Sequence, residues 1–193
     1  MKLRGKKVAM MVSNEFEDIE LWYPMIRLSE EGAWITIATL HLGFHPRPYV
    51  EGKPITGRFG TTVPPLVHRV GKLFDIKNIA ELVPEEYDGV IIPGGFSPDF
   101  LRRDPVTLEF LRRMAGQGKM IASICHGSWV MISAGIVKGK KMTAFFAIKD
   151  DLVNAGALFV DEPVAVDGKI VTSRCPDDLP DFCRAIITAM SPE

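Results

Sequence analysis

Between Gly118 and Gly135 the hydrophobic period changes within a few residues. Residues 120–124 (Met-Ile-Ala-Ser-Ile) form a short apolar run, the length and character of a buried parallel strand. After it, Trp129, Val130 and the run 132–134 supply an apolar face at helical spacing. A strand that turns straight into a helix leaves the turn residue at the carboxyl edge of a parallel sheet, where α/β proteins place their chemistry. Here that residue is Cys125, followed by His126 and Gly127. The partial positive charge of a helix N-terminus favours a thiolate, so the spacing predicts a nucleophile elbow with cysteine in the place where α/β-hydrolases carry serine. The plainer alternative is a small buried hydrophobe, the usual state of a free cysteine. Cys175, before a proline, and Cys183, inside an amphipathic pattern, lack the elbow context and are expected to be structural.

The rest of the chain supplies the sheet around that elbow. Residues 7–13 read as a buried strand, and 14–20 open a helix with Glu17, Asp18 and Glu20 near its positive end. Pro24 either begins or bends that helix, which stops at Gly32, and 34–39 form the next strand. Strand, helix and strand in so short a span make a right-handed βαβ unit and imply parallel pairing. Residues 76–83 are predicted as a short helix and 87–93 as a strand leaving into Gly94-Gly95. Paired glycines there let backbone N–H groups approach a ligand as an anion or oxyanion pocket, although a plain turn has the same composition. Asp99 follows at a helix start, Pro105 opens another helix closed near Gly116, and 141–145 read as a strand. A helix over 148–155, a short strand over 158–160, a hairpin over 164–172 at the sheet edge and a closing helix over 178–190 complete the pattern. The fold class expected is α/β: a three-layer α/β/α sandwich with a mainly parallel sheet.

Residues 43–71 break this rhythm with five prolines and five glycines and predict an excursion carrying at most short strands, around 61–63 and 67–70. Loops of that length are usually lids or contact surfaces. His41, His45 and His68 lie in or beside it, but no helix aligns the His-x-x-x-His pair, so no metal is expected. At 193 residues one domain, 1–193, is expected. A net charge of −1 without a dense basic patch argues against nucleic acid as main partner. Three cysteines without disulfide or zinc spacing suit a reducing cytoplasm, and neither a signal peptide nor a membrane-length apolar run is read.

Cys125 needs a base at neutral pH. None of the four histidines follows His126, which excludes the cysteine-then-distant-histidine order of glutamine amidotransferases. His126 itself is the nearest candidate, if a third group orients it; Asp99, Glu17, Asp18 and Glu20 are the candidate carboxylates.

The stretches 8–24, 91–99 (Ile-Ile-Pro-Gly-Gly-Phe-Ser-Pro-Asp), 122–127 (Ala-Ser-Ile-Cys-His-Gly), 148–156 and 166–174 together resemble the PfpI branch of the DJ-one/PfpI superfamily. The likeness spans nearly the whole chain except 43–71. It implies a flavodoxin-like sandwich, no cofactor, and a nucleophilic Cys125 touched by a protonated Glu20. It also implies a His126 oriented by an acid at the Asp99 position, supplied by a neighbouring subunit of a homo-oligomer, dimer or hexamer. Backbone at Gly94, Gly95, His126 and Gly127 would make the oxyanion pocket, with Glu17, Phe145 and Trp129 lining it. Relatives carry glutamate at the Asp99 position and many carry tyrosine at Phe145, so this chain has a shorter acid and lacks a hydroxyl. The activities implied are peptide or amide hydrolysis, or glyoxalase III and deglycase chemistry on reactive aldehydes. A non-catalytic redox sensor would use the same cysteine.

Overall fold

Strand β1 (Lys7–Val12) shows why this sheet needs cover on both sides. Val8, Met10 and Val12 enter one apolar cluster, while Ala9 and Met11 enter a second on the opposite face. Successive residues of a strand point to opposite faces, so an unbroken apolar run is stable only between two layers of helix. The computed structural model, which describes residues 1–41, 54–66 and 68–191, has that arrangement.

In chain order, α1 (Asp18–Glu30) leads to β2 (Trp34–Thr39), then to a small hairpin of β3 (Ile55–Thr56) and β4 (Thr62–Val63), and to β5 (Phe74–Asn78). Next come β6 (Gly89–Ile92), α2 (Ser97–Leu101), α3 (Pro105–Gly116), β7 (Met120–Ile124) and α4 (Ser128–Ala134). The chain ends with β8 (Lys141–Met142), α5 (Lys149–Asn154), β9 (Leu158–Phe159), β10 (Val164–Asp167), β11 (Ile170–Ser173) and α6 (Leu179–Met190). The main sheet has the order β10-β11-β7-β6-β1-β2-β5. Every pairing in it is parallel except the β10–β11 hairpin at one edge. Leu21, Met25 and Leu28 of α1 and Phe182 and Ile186 of α6 fill one face; Leu111 and Met114 of α3, Met131 of α4 and Leu152 of α5 fill the other. The result is the expected α/β/α sandwich. Among the described residues no helix is long and apolar enough to cross a membrane.

Three local expectations change. The predicted helix over 76–83 is instead β5, which adds to β2 as the outer strand, followed by a 3₁₀ turn over Ile79–Glu81 that Asn78 caps through its side chain. Ile76, Ile79 and Val83 happen to fall at helical spacing. However, buried Phe74 and half-buried Ile76, two residues apart, are the pattern that pairs with β2. The strand expected over 141–145 is cut to Lys141–Met142, which pairs with β9 outside the main sheet. The backbone then turns away, and Phe145 N–H donates to the Cys125 carbonyl at 3.3 Å. Pro24 sits inside α1, which begins six residues before it. In the excursion β4 falls where a strand was expected, 68–70 are not strand, and His45 and Val67 lie outside the described residues.

The hairpin is strapped to the start of α1. The Asp18 carboxylate accepts from Phe59 N–H at 2.8 Å, Thr61 N–H at 2.9 Å and Thr61 Oγ at 2.5 Å. Gly57 must be glycine for this approach, because a Cβ there would lie 2.5 Å from the same carboxylate. Hydrogen bonds to a charged carboxylate are the strong ones, so Asp18→Ala should loosen the hairpin by about 2 kcal/mol locally. Faster limited proteolysis near Phe59, with the global melt little changed, would show it; an unchanged cleavage rate would mean the hairpin is held elsewhere.

Candidate active site

Cys125 has φ +57, a left-handed conformation that costs a residue with a Cβ on the order of 1 kcal/mol. The strand β7 ends one residue earlier and a 3₁₀ turn over Cys125–Gly127 feeds α4, so the strained elbow expected from the spacing is present. The residue is 8% exposed. Its Sγ lies 3.2 Å from Nδ1 of His126, and the backbone N–H groups of His126 and Gly95 are aimed at the sulfur.

The adjoining glycines divide their work. Gly95 has φ +75, and a Cβ on it would lie 2.3 Å from the Glu15 carbonyl oxygen, so only glycine allows this loop to pass. Gly94 donates its N–H to Glu20 Oε2 at 2.7 Å. Gly127 packs against the Ile92 carbonyl, where a Cβ would stand 2.2 Å away. The oxyanion expectation therefore narrows: Gly95 and His126 face the sulfur, while the Gly94 N–H is already committed to a carboxyl group.

Glu20 is fully buried beside that thiol and interacts with it, while its Oε1 makes no hydrogen bond of ordinary geometry. Burial pushes its pKa up to about 8, against a smaller pull downward from the Gly94 N–H. At neutral pH it holds its proton. Burial, then the Glu20 charge, also push the Cys125 thiol well above its usual range, and the His126 and Gly95 N–H groups only partly oppose this. Burial thus opposes the thiolate that the helix N-terminus was expected to favour.

His126 is suited to receive that proton. Burial, then the Arg58 charge, lower its pKa, so the imidazole is neutral at physiological pH. With its proton on Nε2, Nδ1 accepts from the thiol. Its ring lies between Phe145, 5.1 Å away and tilted 30°, and Trp129, 5.0 Å away and edge-on at 70°. Both aromatics expected to line the pocket pack against the His126 ring. Asp99 does not meet His126 within the protomer; its carboxylate pairs with Arg103 one turn further along.

Glu17 also belongs here. Its pKa is raised, by burial first, and its Oε2 accepts from Arg58 Nη1 at 3.1 Å. Arg58, from the loop between β3 and β4, was not anticipated. Its guanidinium reaches Glu17 and stands 5.7 Å from the Phe96 ring. The only signal was an arginine inside an excursion too irregular to place. Because its charge lowers the His126 pKa, Arg58→Ala should raise it. NMR titration of the imidazole reads this directly, and no shift would place Arg58 too far away to act.

The remaining candidates lie elsewhere. Cys183 is buried in α6 with its thiol pushed up to about 12 by burial, and Cys175 Sγ contacts Asp178 at 3.6 Å. His41 is exposed and His68 lies beside Trp22. Among the described residues no group of three His, Cys, Asp or Glu side chains is placed to hold a metal.

The model of the DJ-1/PfpI family matches residues 6–189. The chain belongs to this family. Among relatives, a deglycase of Pyrococcus horikoshii is 41% identical over 94% of this chain and 97% of its own length. The deglycase PfpI of Pyrococcus furiosus is 39% identical over the same shares, 94% and 97%. A Bacillus subtilis protein, YraA, named as a candidate cysteine protease, is 37% identical over 93% of this chain and 95% of its own. Among DJ-1/PfpI structures, a two-domain protein of Anabaena variabilis with DJ-1/ThiJ/PfpI-like and ferritin-like domains is 34% identical, with a TM-score of 0.80. It aligns over 95% of this chain, which spans 47% of that protein. Drosophila melanogaster DJ-1beta, 23% identical with a TM-score of 0.80 over 97% of this chain and 91% of its own, shares the fold.

Proposed function

We propose that this DJ-1/PfpI protein is a cysteine-dependent enzyme that adds the Cys125 thiol to the carbonyl of a small reactive aldehyde, the chemistry of the deglycase and glyoxalase class. The observation that carries the reading is the pairing of a strained Cys125 with a neutral His126 whose Nδ1 stands 3.2 Å from the sulfur. Glu20, protonated beside the thiol, supplies a hydrogen bond to the sulfur as charge develops, replacing the solvation that burial removes. Gly95 and His126 N–H groups, already facing the sulfur, are placed to receive the oxygen of an attacked carbonyl.

For an α-oxo-aldehyde the balance is internal. The sulfur bonds to the aldehyde carbon, and the thiol proton passes through His126 to the carbonyl oxygen, giving a hemithioacetal. A proton then moves from that carbon to the neighbouring carbonyl carbon through an enediol, so one carbon is oxidised as the other is reduced. The resulting thioester is hydrolysed by water, which releases a 2-hydroxy acid and restores the thiol. No external oxidant or cofactor enters.

Peptide or amide hydrolysis is the second reading, favoured by the description of YraA. Cys125 is 8% exposed beside a His126 ring that packs against two aromatics, which suits a small aldehyde better than a chain segment. The position of Phe145 also carries no hydroxyl to protonate a leaving amine. Methylglyoxal consumption without glutathione, with lactate as product, should be seen alongside silence in a peptide-amide assay. The reverse result would make the protein a hydrolase. Silence in both, with selective peroxide oxidation of Cys125, would make it a redox protein.

A further inference from the structure

A base that shuttles a proton must keep one ring nitrogen aimed at its partner, and an imidazole free to turn about its Cβ–Cγ bond presents carbon as readily as nitrogen. No carboxylate of the described residues hydrogen-bonds His126 within the chain, and its ring packs against both Phe145 and Trp129. Trp129 is itself tied down. Its indole Nε1 donates to Asp151 Oδ2 at 2.9 Å. The Arg102 guanidinium lies 5.3 Å over its ring, and Arg102 Nε is fixed on Ser133 Oγ at 3.0 Å.

We infer that Trp129 and Asp151 are positioning residues for His126: Asp151 anchors the indole, and the indole, with Phe145, sets the imidazole plane so that Nδ1 faces the Cys125 sulfur. The third member of a catalytic triad does two things, orienting the imidazole and favouring the imidazolium once it has taken the proton. Here the first is transmitted through the indole. The second comes through space, since the Asp151 charge raises the His126 pKa against the lowering by burial and by Arg58. The groups that face His126 are the Cys125 thiol on the elbow, Arg58 from the β3–β4 loop, Asp151 from α5, and the rings of Trp129 and Phe145.

This inference rests on His126 serving Cys125, so its test uses a readout that needs no substrate. The rate of Cys125 alkylation by iodoacetamide is followed against pH by mass spectrometry of the Cys125 peptide, beside NMR titration of His126. Asp151→Asn keeps an acceptor for the indole but removes the charge, and should lower the His126 pKa and move the alkylation profile with it. Trp129→Phe keeps a ring but loses the anchor, and should slow alkylation at neutral pH about tenfold, the scale of a small misplacement of a reacting group. Asp151→Glu should restore most of the native profile. The inference is overturned if both variants match the native protein, or if Asp99→Asn alters the His126 titration while Asp151→Asn does not. Should these effects appear with no aldehyde turnover, the reaction assigned above fails and the positioning stands.

Discussion

Cys125→Ala should abolish aldehyde turnover, with a loss of at least about a thousandfold in kcat, because residues acting as one unit lose nearly everything when the nucleophile goes. The fold should survive. The side chain is small, and the elbow is held by Gly95 passing under Glu15, by Gly127 against Ile92, and by Phe145 N–H on the Cys125 carbonyl. Removing the sulfur leaves a small cavity and takes the thiol contact from buried Glu20, so the variant should melt slightly below the native protein. Steady-state assay and thermal melting on the same preparation check both halves. A variant retaining more than a small fraction of native turnover would remove Cys125 from the mechanism. A variant that unfolds would leave Cys125→Ser, closest in shape, to make the same measurement.

The second large effect is a loss of stability on raising the pH, carried by Glu20. Its folded pKa is about 8 against an ordinary value of 4.5. Between those values the unfolded chain has released the proton and the folded chain still holds it, so stability falls as pH rises through this window. At about 1.4 kcal/mol per unit, the part of the window between pH 5 and pH 8 corresponds to about 3 kcal/mol. Glu17, whose pKa is also raised, acts in the same direction, whereas His126, whose pKa is lowered, gains stability as pH rises. The comparison with Glu20→Gln isolates the single carboxyl: urea unfolding at pH 5 and pH 8 should show the native protein losing about 3 kcal/mol more than the variant. Equal losses would mean that Glu20 is ionised at neutral pH and that the sulfur is not faced by a protonated acid.

Most of the sheet could be read along the chain, because runs such as 8–12 and 120–124 are apolar at every position and tolerate only a buried parallel strand. The elbow could be read for a related reason: a change of period from strand to helix with no intervening loop leaves one place for the turn residue. Strand β5 could not. It is an outer strand with alternating polar residues, and such a pattern over a few residues fits helix and strand alike. Glu20 was placed at the thiol by the family resemblance, whereas Arg58 sits in a stretch whose path depends on Asp18 and Gly57 meeting across more than thirty residues.

From the sequence alone came the alternation of strands and helices, the identity of the turn residue and the membership of a cysteine-bearing family. These follow from local periodicity and residue type, which act over a few positions. The protonation of Glu20, the raised thiol, the commitment of the Gly94 N–H and the aromatic seat of His126 were decided by tertiary structure. Each depends on how much water is excluded and on which dipoles converge from separate strands, and neither quantity is a property of neighbours in sequence.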